Sequence, residues 1–437
     1  EEGTTFGGFV SGPISDTLGY RVAAEIQDIN KFVEIAPGNP TAQPERGLEN
    51  LITRVTFQWE PVDNFDANLK INYNRQRSDS LNSNLDIFCG GDGRPDPSVI
   101  LGGALGGVPG FDLFEPTHDC NVKDGKFVGP DGHPLLTSVP TGSPGEGRDI
   151  RLAYNDTDTF FTRLEMNYAL NESLNLTALV GYVDLDNEYN DTFNSTGQLP
   201  DGSAAGLPAP FLNTLQQTTF ELRLASNNDG AFNYQVGAFW EDRDIGHKTS
   251  QNAFNPSLLG AIGFGPDPAT GFTFDWLANR PIQAEAVSIF ASAEYQFSES
   301  WLLSGGLRWT DEEKTTSVGF PFIHSGVAAL GLTAIASGFQ SGDVEFQDDN
   351  ISPELVLTYV VNDSISIYGA YKAGFKSGGI DNNTLPTGSL VLNLNDPDPA
   401  VREASGDVLR FASEESDGGE IGFRSLLLDG DLLLNVT

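Results

Sequence analysis

The feature that most limits what this chain can fold into is an alternation of apolar and polar residues, repeated in long segments from one end to the other. Alternate side chains of a β-strand share a face, so this pattern builds a sheet with one greasy side and one wet side. In 287–297 one face carries Val287, Ile289, Ala291, Ala293, Tyr295 and Phe297, and the other Ser288, Phe290, Ser292, Glu294 and Gln296. In 301–310, Trp301, Leu303, Leu307 and Trp309 oppose Ser304, Arg308 and Thr310. Phe220, Leu222 and Leu224 oppose Thr219, Glu221 and Arg223, while Ile365, Ile367, Tyr371 and Phe375 oppose Ser366, Tyr368 and Lys372. The segments LGYRVAAEI, LITRVTFQW, NLKINYN, FFTRLEMNYAL, LNLTALVGYV and EIGFRSLLL follow the same rule. No uncharged apolar run reaches the roughly eighteen residues that a membrane-spanning helix needs. The nearest candidate, 326–339, is too short and too rich in glycine.

Charged residues recur on the second face: Arg21, Arg54, Arg163, Glu165, Glu221, Arg223, Glu294, Arg308, Lys372 and Arg424. In a soluble sandwich they would point to water; in a membrane barrel they would point into a polar lumen. Connection lengths separate the two. About fourteen strands can be read, and their connections alternate short and long. The short ones, SGPISD, EPVDNFD, LNESL, SNNDGAF, FSES, VVNDS and LLDGD, are rich in Asn, Asp, Gly and Ser. These residues tolerate φ > 0 or bond their own backbone in turns. The long ones are 28–49, 79–155, 190–213, 244–280, 311–345 and 377–414. A sandwich has no reason to gather its long loops at one end, whereas a transmembrane barrel has tight turns inside and long loops outside.

The strands are predicted to run about ten to fifteen residues, against five or six in a globular sheet and nine to eleven for a tilted membrane crossing. Tyr73, Phe160, Tyr168, Tyr182, Trp240, Tyr295, Phe297, Trp301, Trp309, Tyr359 and Phe375 gather at strand ends, as in interfacial aromatic girdles. The expected fold is all-β: an antiparallel transmembrane β-barrel. Hydrophobic content of only 39% agrees, because alternate strand residues alone face lipid.

Acidic residues outnumber basic ones 61 to 24, a formal net charge of -37, which argues against nucleic acid as a partner. Acidic loops suit solubility, divalent-cation bridging or a cationic ligand. Cys89 and Cys120 lie in one long polar segment and form a candidate loop disulfide in an exported protein; two free thiols are the alternative. His118, His133, His247 and His324 all fall in predicted external loops and are expected to be solvent-exposed, without H-E-x-x-H or Cys-x-x-Cys spacing. No nucleophile elbow has a strand-to-helix context. The glycine stretch GFKSGG sits at the end of a strand rather than before a helix. The carboxylate pairs Glu312 and Glu313, and Asp348 and Asp349, are read as solvated loop charge rather than a glycosidase pair. No enzyme activity, cofactor or metal site is expected.

Several segments resemble the barrel of the TonB-dependent receptor family. SGPISDTLGYRVAAEIQD (11–28) is similar to the family's early hairpin. TTFELRLAS (218–226) with YQVGAFWEDRD (234–244) resembles the mid-barrel hairpin with its Glu-Leu-Arg signature. LLSGGLRWTDEEK (302–314) resembles the Gly-x-Arg-Tyr/Trp-Thr-x-Glu strand. ISPELVLTYVVNDSISIYGAYKAGFKSGGID (351–381) carries the Ser-Pro, the Tyr-x-x-Tyr and the GFKSGG stretch, and EESDGGEIGFRSLLLDGDLLLN (414–435) resembles the hairpin that follows. The matches occur in family order.

The resemblance implies a bacterial outer-membrane transporter that takes up a scarce nutrient, ferric siderophore by default. Its partners would be outer-membrane lipid and lipopolysaccharide, and TonB acting through a plug domain. It implies a barrel of about 22 strands, of which about fourteen are read here. The family's plug, its TonB-binding segment and the final strands are not matched. With Glu1 as first residue, no signal peptide, and Thr437 in mid-pattern, residues 1–437 read as a partial barrel domain. The long segment 79–155 is expected to contact ligand. A passive porin-like channel is the alternative; a soluble secreted β-rich binding protein is a third reading.

Overall fold

The structure, a computed structural model, describes residues 3–30, 34–35, 47–78, 126–127, 139, 142–148, 154–192, 208–251, 267–268, 276–329, 333–383, 389–428 and 431–437. Cys89, Cys120, His118 and His133 lie outside these residues, as does most of the 79–155 segment.

Seventeen strands form one sheet. Three of them, Trp276–Asn279, Gly319–Ile323 and Phe339–Gln340, are short pieces of connecting segments, which leaves fourteen principal strands. In chain order these are β1 (Gly3–Ser15), β2 (Leu18–Ile29), β3 (Leu48–Val62), β4 (Phe65–Ser78), β5 (Tyr154–Asn171), β6 (Leu174–Thr192), β7 (Pro208–Ser226), β8 (Phe232–Gln251), β9 (Ile282–Ser298), β10 (Trp301–Thr316), β11 (Val344–Asn362), β12 (Ile365–Lys376), β13 (Glu414–Leu427) and β14 (Leu432–Val436). Each pairs antiparallel with the next, an unbroken meander. Successive hairpins therefore put the tight turns at one end of the sheet and the long connections at the other.

The tight turns are built from local side-chain chemistry. The last residue of a strand accepts a hydrogen bond from the backbone two residues on: Thr17 N–H donates to Ser15 Oγ at 3.3 Å, Ser173 N–H to Asn171 Oδ1 at 2.9 Å, Ser300 N–H to Ser298 Oγ at 3.3 Å and Ser364 N–H to Asn362 Oδ1 at 2.9 Å. Each turn is also tied to its neighbour hairpin. The carbonyls of Thr17, Asn64, Ser173, Ser300 and Ser364 accept from Glu60, Ala169, Asn227, Val360 and Leu426 at 2.8–2.9 Å.

Several strands outrun the predicted length. β6, β7 and β11 have 19 residues and β8 has 20. The expected loops 190–213, 244–280 and 311–345 are correspondingly shortened, because pairing continues to Thr192, resumes at Pro208, and runs on to Gln251 and Thr316. The ladder bonds are made by backbone and need no hydrophobic alternation, so they extend past the point where the greasy face stops.

That stopping point is sharp. Towards the long-connection end of the apolar face, Ile26 gives way to Asp28, Leu51 to Glu49, Tyr73 to Arg75, Phe160 to Asp158, Tyr182 to Asp184, Trp240 to Asp242, Val287 to Glu285, Trp309 to Asp311 and Ile351 to Asp349. On the greasy side of this line large side chains stay exposed: Ile289 at 59%, Leu307 at 52%, Ile351 at 57%. Along β9 the greasy residues run from Val287 to Phe297, which at about 3.3 Å per residue and a roughly 40° tilt gives a band about 25 Å tall. Aromatic donors mark the line, each bonded to a carboxylate beyond it: Tyr73 Oη to Asp158 at 2.6 Å, Tyr182 Oη to Asp184 at 3.0 Å and Trp240 Nε1 to Glu285 at 2.9 Å. An exposed apolar band bounded by aromatics and charge is the geometry of a sheet embedded in a bilayer.

Beyond the line, three connections pack into one small cap. Trp276, Ala278, Val318, Phe320, Ile323, Ile335 and Val391 form its core, and Val344, Ile380, Leu394 and Leu409 a second cluster. It carries the helices α1 (Ser325–Ala329), α2 (Ser389–Asn393) and α3 (Pro399–Leu409). α3 starts where Asp398 accepts from Ala400 N–H at 3.0 Å and Pro399 supplies a helix-ready φ. Of the apolar run 326–339, Ile335 belongs to the cap core with Phe339 packed against it, and Val327 is buried.

Candidate functional site

The strand register fixes which residues share the face opposite the greasy band. Arg21 pairs with Thr56, Thr56 with Lys70, Lys70 with Arg163, and Arg163 with Gly181, which faces Thr219. Arg54 and Glu165 sit two residues from members of that row, and Glu221 and Arg223 two and four residues past Thr219. Glu221 pairs with Phe239, Phe239 with Ser288, and Ser288 with Thr310. Glu294 and Arg308 follow at even spacing from Ser288 and Thr310. Arg308 faces Ser352; two residues on, Glu354 faces Lys372, which faces Gly418, six residues before Arg424. Arg54, Arg163, Glu165, Glu221, Arg223, Glu294, Arg308, Lys372 and Arg424 therefore lie on one face.

Side chains on this face reach across an intervening strand. Arg243 Nη2 on β8 is 3.2 Å from Glu312 Oε1 on β10, passing over β9, where Ala284 and Ala286 leave room. The Arg308 guanidinium on β10 lies 5.3 Å from the Phe239 ring on β8 and 5.5 Å from Phe290 between them. The sheet accordingly curves toward its charged face. Glycine helps: a Cβ at Gly237 would collide with the Phe290 ring, and one at Gly422 with the Tyr368 ring, over which Arg424 stacks at 4.7 Å. Arg308 also donates from Nη2 to Ser288 Oγ at 2.9 Å.

Most charges here are paired. Arg163 bonds Glu165; Arg223 Nε is 2.9 Å from Glu221 and Lys372 Nζ 3.1 Å from Glu354. A longer chain runs at the cap end. Gln217 Nε2 donates to Glu241 at 2.7 Å; Glu241 is 3.5 Å from Arg243, which meets Glu312, and Glu312 meets Lys314 at 3.2 Å. Lys314 Nζ then donates to Ser377 Oγ at 3.0 Å and to the Gly378 carbonyl at 2.7 Å. The chain thus ends on the connection that carries α2 and α3. Thr316 Oγ1 donates to the Pro281 carbonyl at 2.6 Å and accepts from Asn382 at 2.8 Å, and Arg410 Nε donates to the Glu345 carbonyl at 2.7 Å. The cap is bolted to β10 and β11.

Three sequence expectations are corrected. Glu312 and Asp348 belong to strands on the charged face, with Glu313 and Asp349 on the opposite one; adjacent strand carboxylates cannot share a face, so neither pair is loop charge. His247 lies in β8, not in a loop, and is half-buried. Its Nδ1 sits 2.6 Å from Asn213 Oδ1, which only accepts, so Nδ1 carries the proton and Nε2 accepts from Thr249 Oγ1 at 3.1 Å. Phe211 packs 5.7 Å from the imidazole and stacks on Tyr189. His324 is 1% exposed in the cap, where its Nδ1 accepts from Gly326 N–H at 3.0 Å. Arg280, 2% exposed, lies nearby in sequence to the cap core, and burial pushes its pKa down to about 10, against the pull of Asp381.

Sequence reasoning missed Glu241, Arg243, Lys314 and Glu354 as members of this surface. The signal was available: each continues the even-numbered or odd-numbered face of a recognised strand. Among the described residues, no group of three or more His, Cys, Asp or Glu is placed to hold a metal.

An antiparallel meander with a greasy band on one face, charge on the other, and tight turns opposite long connections defines an outer-membrane β-barrel protein. Residues 115–437 match the family described as TonB dependent receptor-like, beta-barrel, and the chain belongs to that family. No curated protein matches the chain. Solved structures do. The ferric yersiniabactin uptake receptor FyuA from Yersinia pestis is 15% identical with a TM-score of 0.61, over 97% of this chain and 51% of its own. The siderophore receptor PiuA from Acinetobacter baumannii is 13% identical with a TM-score of 0.63, over 99% and 54%. The ferric-catecholate import receptor Fiu from E. coli K12, in its open form, is 14% identical with a TM-score of 0.59, over 99% and 58%. The chain spans about half the length of these structures, and at such identity the likeness shows the fold.

Proposed function

We propose that residues 1–437 are barrel wall and outer cap of a TonB-dependent receptor that imports a scarce nutrient across the outer membrane, with ferric siderophore as the default class. The carrying observation is the division of the sheet: a greasy band that fits a bilayer, and a curved, ion-paired face that suits a water-filled lumen. Arg54, Arg163, Glu165, Glu221, Arg223, Glu294, Arg308, Lys372 and Arg424 line that lumen in this reading. The cap stands at its outer mouth, and 79–155 contributes to ligand capture there. Energy reaches the barrel from TonB through a plug domain, and lipid and lipopolysaccharide surround the band. The chain's role is transport, with no covalent step.

The test is uptake of radiolabelled iron chelates by cells that lack their own receptors and carry the intact receptor, with and without TonB. TonB-dependent uptake of a ferric siderophore supports the proposal. Passive, TonB-independent passage of small solutes would point to a porin-like channel instead.

A further inference from the structure

Aromatics at the two edges of the greasy band are held differently. At the long-connection edge their donors are taken by the protein's own carboxylates: Trp240 Nε1 donates to Glu285 at 2.9 Å and Trp309 Nε1 to Asp349 at 3.4 Å. At the tight-turn edge, Tyr295, Phe297, Trp301 and Tyr359 form one row across β9, β10 and β11. Their ring centroids are 6.3, 6.1 and 4.7 Å apart in that order. All four rings are exposed. Among the described residues, the Trp301 indole N–H and the Tyr295 and Tyr359 hydroxyls have no hydrogen-bond partner. The same residue types therefore stand satisfied at one edge and open at the other.

Charge at the tight-turn edge has one sign. The turn between β9 and β10 places Glu299 two residues from both Phe297 and Trp301. Ser298 Oγ accepts from Ser300 N–H at 3.3 Å, and the Ser300 carbonyl accepts from Val360 N–H at 2.8 Å, so the turn is fixed against β11. Glu299 is exposed and forms no ion pair among the described residues. The greasy face of β9 to β11 carries no Lys or Arg. Nor does any of the seven tight turns, each of which has an Asp or Glu. An anionic headgroup finds no counter-charge here. A headgroup ending in an ammonium finds two attractions, the ring quadrupoles and the Glu299 carboxylate. Its phosphate diester requires donors, which the open indole N–H and the phenol hydroxyls supply.

We propose that Tyr295, Phe297, Trp301 and Tyr359, with Glu299 at the turn, form a site for one phospholipid with a primary ammonium headgroup, phosphatidylethanolamine, from the inner leaflet. The row is continuous with the greasy band, so the acyl chains of a lipid seated on it lie against Leu303, Leu307 and Leu355. The site rests on the reading that this band faces a bilayer, with the tight turns at its inner leaflet.

The intact receptor, purified in a neutral detergent, is given equal amounts of phosphatidylethanolamine and phosphatidylglycerol with matched acyl chains. Native mass spectrometry counts the lipid that the folded protein keeps. The expected result is one phosphatidylethanolamine per receptor, kept in preference to phosphatidylglycerol. Glu299→Gln and Trp301→Leu each lower that retention roughly threefold or more. Trp301→Phe keeps a ring without the N–H and falls between the parent and Trp301→Leu, which separates a lost contact from a lost fold. Glu172→Gln, in a tight turn flanked by Leu170 and Leu174, binds as the parent does. Equal retention of the two lipids, no lipid kept by the parent, or an unchanged preference in Glu299→Gln overturns the site. So does a receptor dimer that Trp301→Leu dissolves, which assigns the row to a second copy of this chain. Phosphatidylethanolamine kept by a receptor without TonB-dependent uptake refutes the transport reading alone; uptake without lipid retention refutes the site alone.

Discussion

Glu312→Gln keeps the shape of the side chain and removes its charge. Glu312 holds Arg243 at 3.2 Å and Lys314 at 3.2 Å, and its side chain is 13% exposed. At an effective dielectric constant of about 20, each contact is worth roughly 5 kcal/mol in gross Coulomb attraction. Desolvation of the three ions opposes that, and both cations keep other partners: Arg243 keeps Glu241 at 3.5 Å, and Lys314 keeps Ser377 and Gly378. The net loss expected is about 2 kcal/mol, between the cost of breaking an exposed pair and a buried one. Guanidinium unfolding of the chain in lipid or detergent reads it as a lower midpoint with unchanged slope. Glu313→Gln is the control. Its side chain points to the other face, is exposed and forms no ion pair among the described residues, so the expected change is within about 0.5 kcal/mol. Equal losses at 312 and 313, or none at 312, would refute the network.

Phe320→Ala empties a fully buried position in the cap core and should cost about 3–5 kcal/mol there, seen as faster hydrogen exchange across 276–279 and 318–323 with β3 to β5 unaffected. Leu307→Arg sets a charge in the greasy band and should cost about 2–4 kcal/mol, whereas Ser292→Arg on the charged face should cost little; unfolding midpoints compare the two. Asn171→Ala removes the acceptor for Ser173 N–H at 2.9 Å and should destabilise the β5–β6 turn by about 1 kcal/mol, read by exchange at Ser173. Asp398→Ala uncaps α3 at a similar cost, read at Ala400.

Faces were legible in the sequence because each strand declares its own alternation. Arg308 between Leu307 and Trp309 needs no partner strand to be placed. Strand ends were less legible. Beyond Trp240 the greasy face of β8 turns to Asp242 and Asp244, which reads as a loop, yet backbone pairing holds to Gln251. The cap was hidden for a different reason. Trp276, Phe320 and Val391 come from three separate connections, and no local period links them. His324 was read as exposed because its neighbours look like loop, whereas burial there depends on those distant segments. The Arg243–Glu312 contact likewise depends on curvature across three strands, which a single segment does not encode.

The account turns on which face of the sheet meets lipid. Single cysteines placed at successive positions 285–294 of β9, with Cys89 and Cys120 replaced by serine, can carry a fluorophore that is quenched by brominated lipid or by an aqueous quencher. Odd positions should be quenched from the lipid and even positions from water, with lipid quenching absent at Glu285. A quenching pattern without that period, or with its phase reversed, would contradict a barrel wall built in this register.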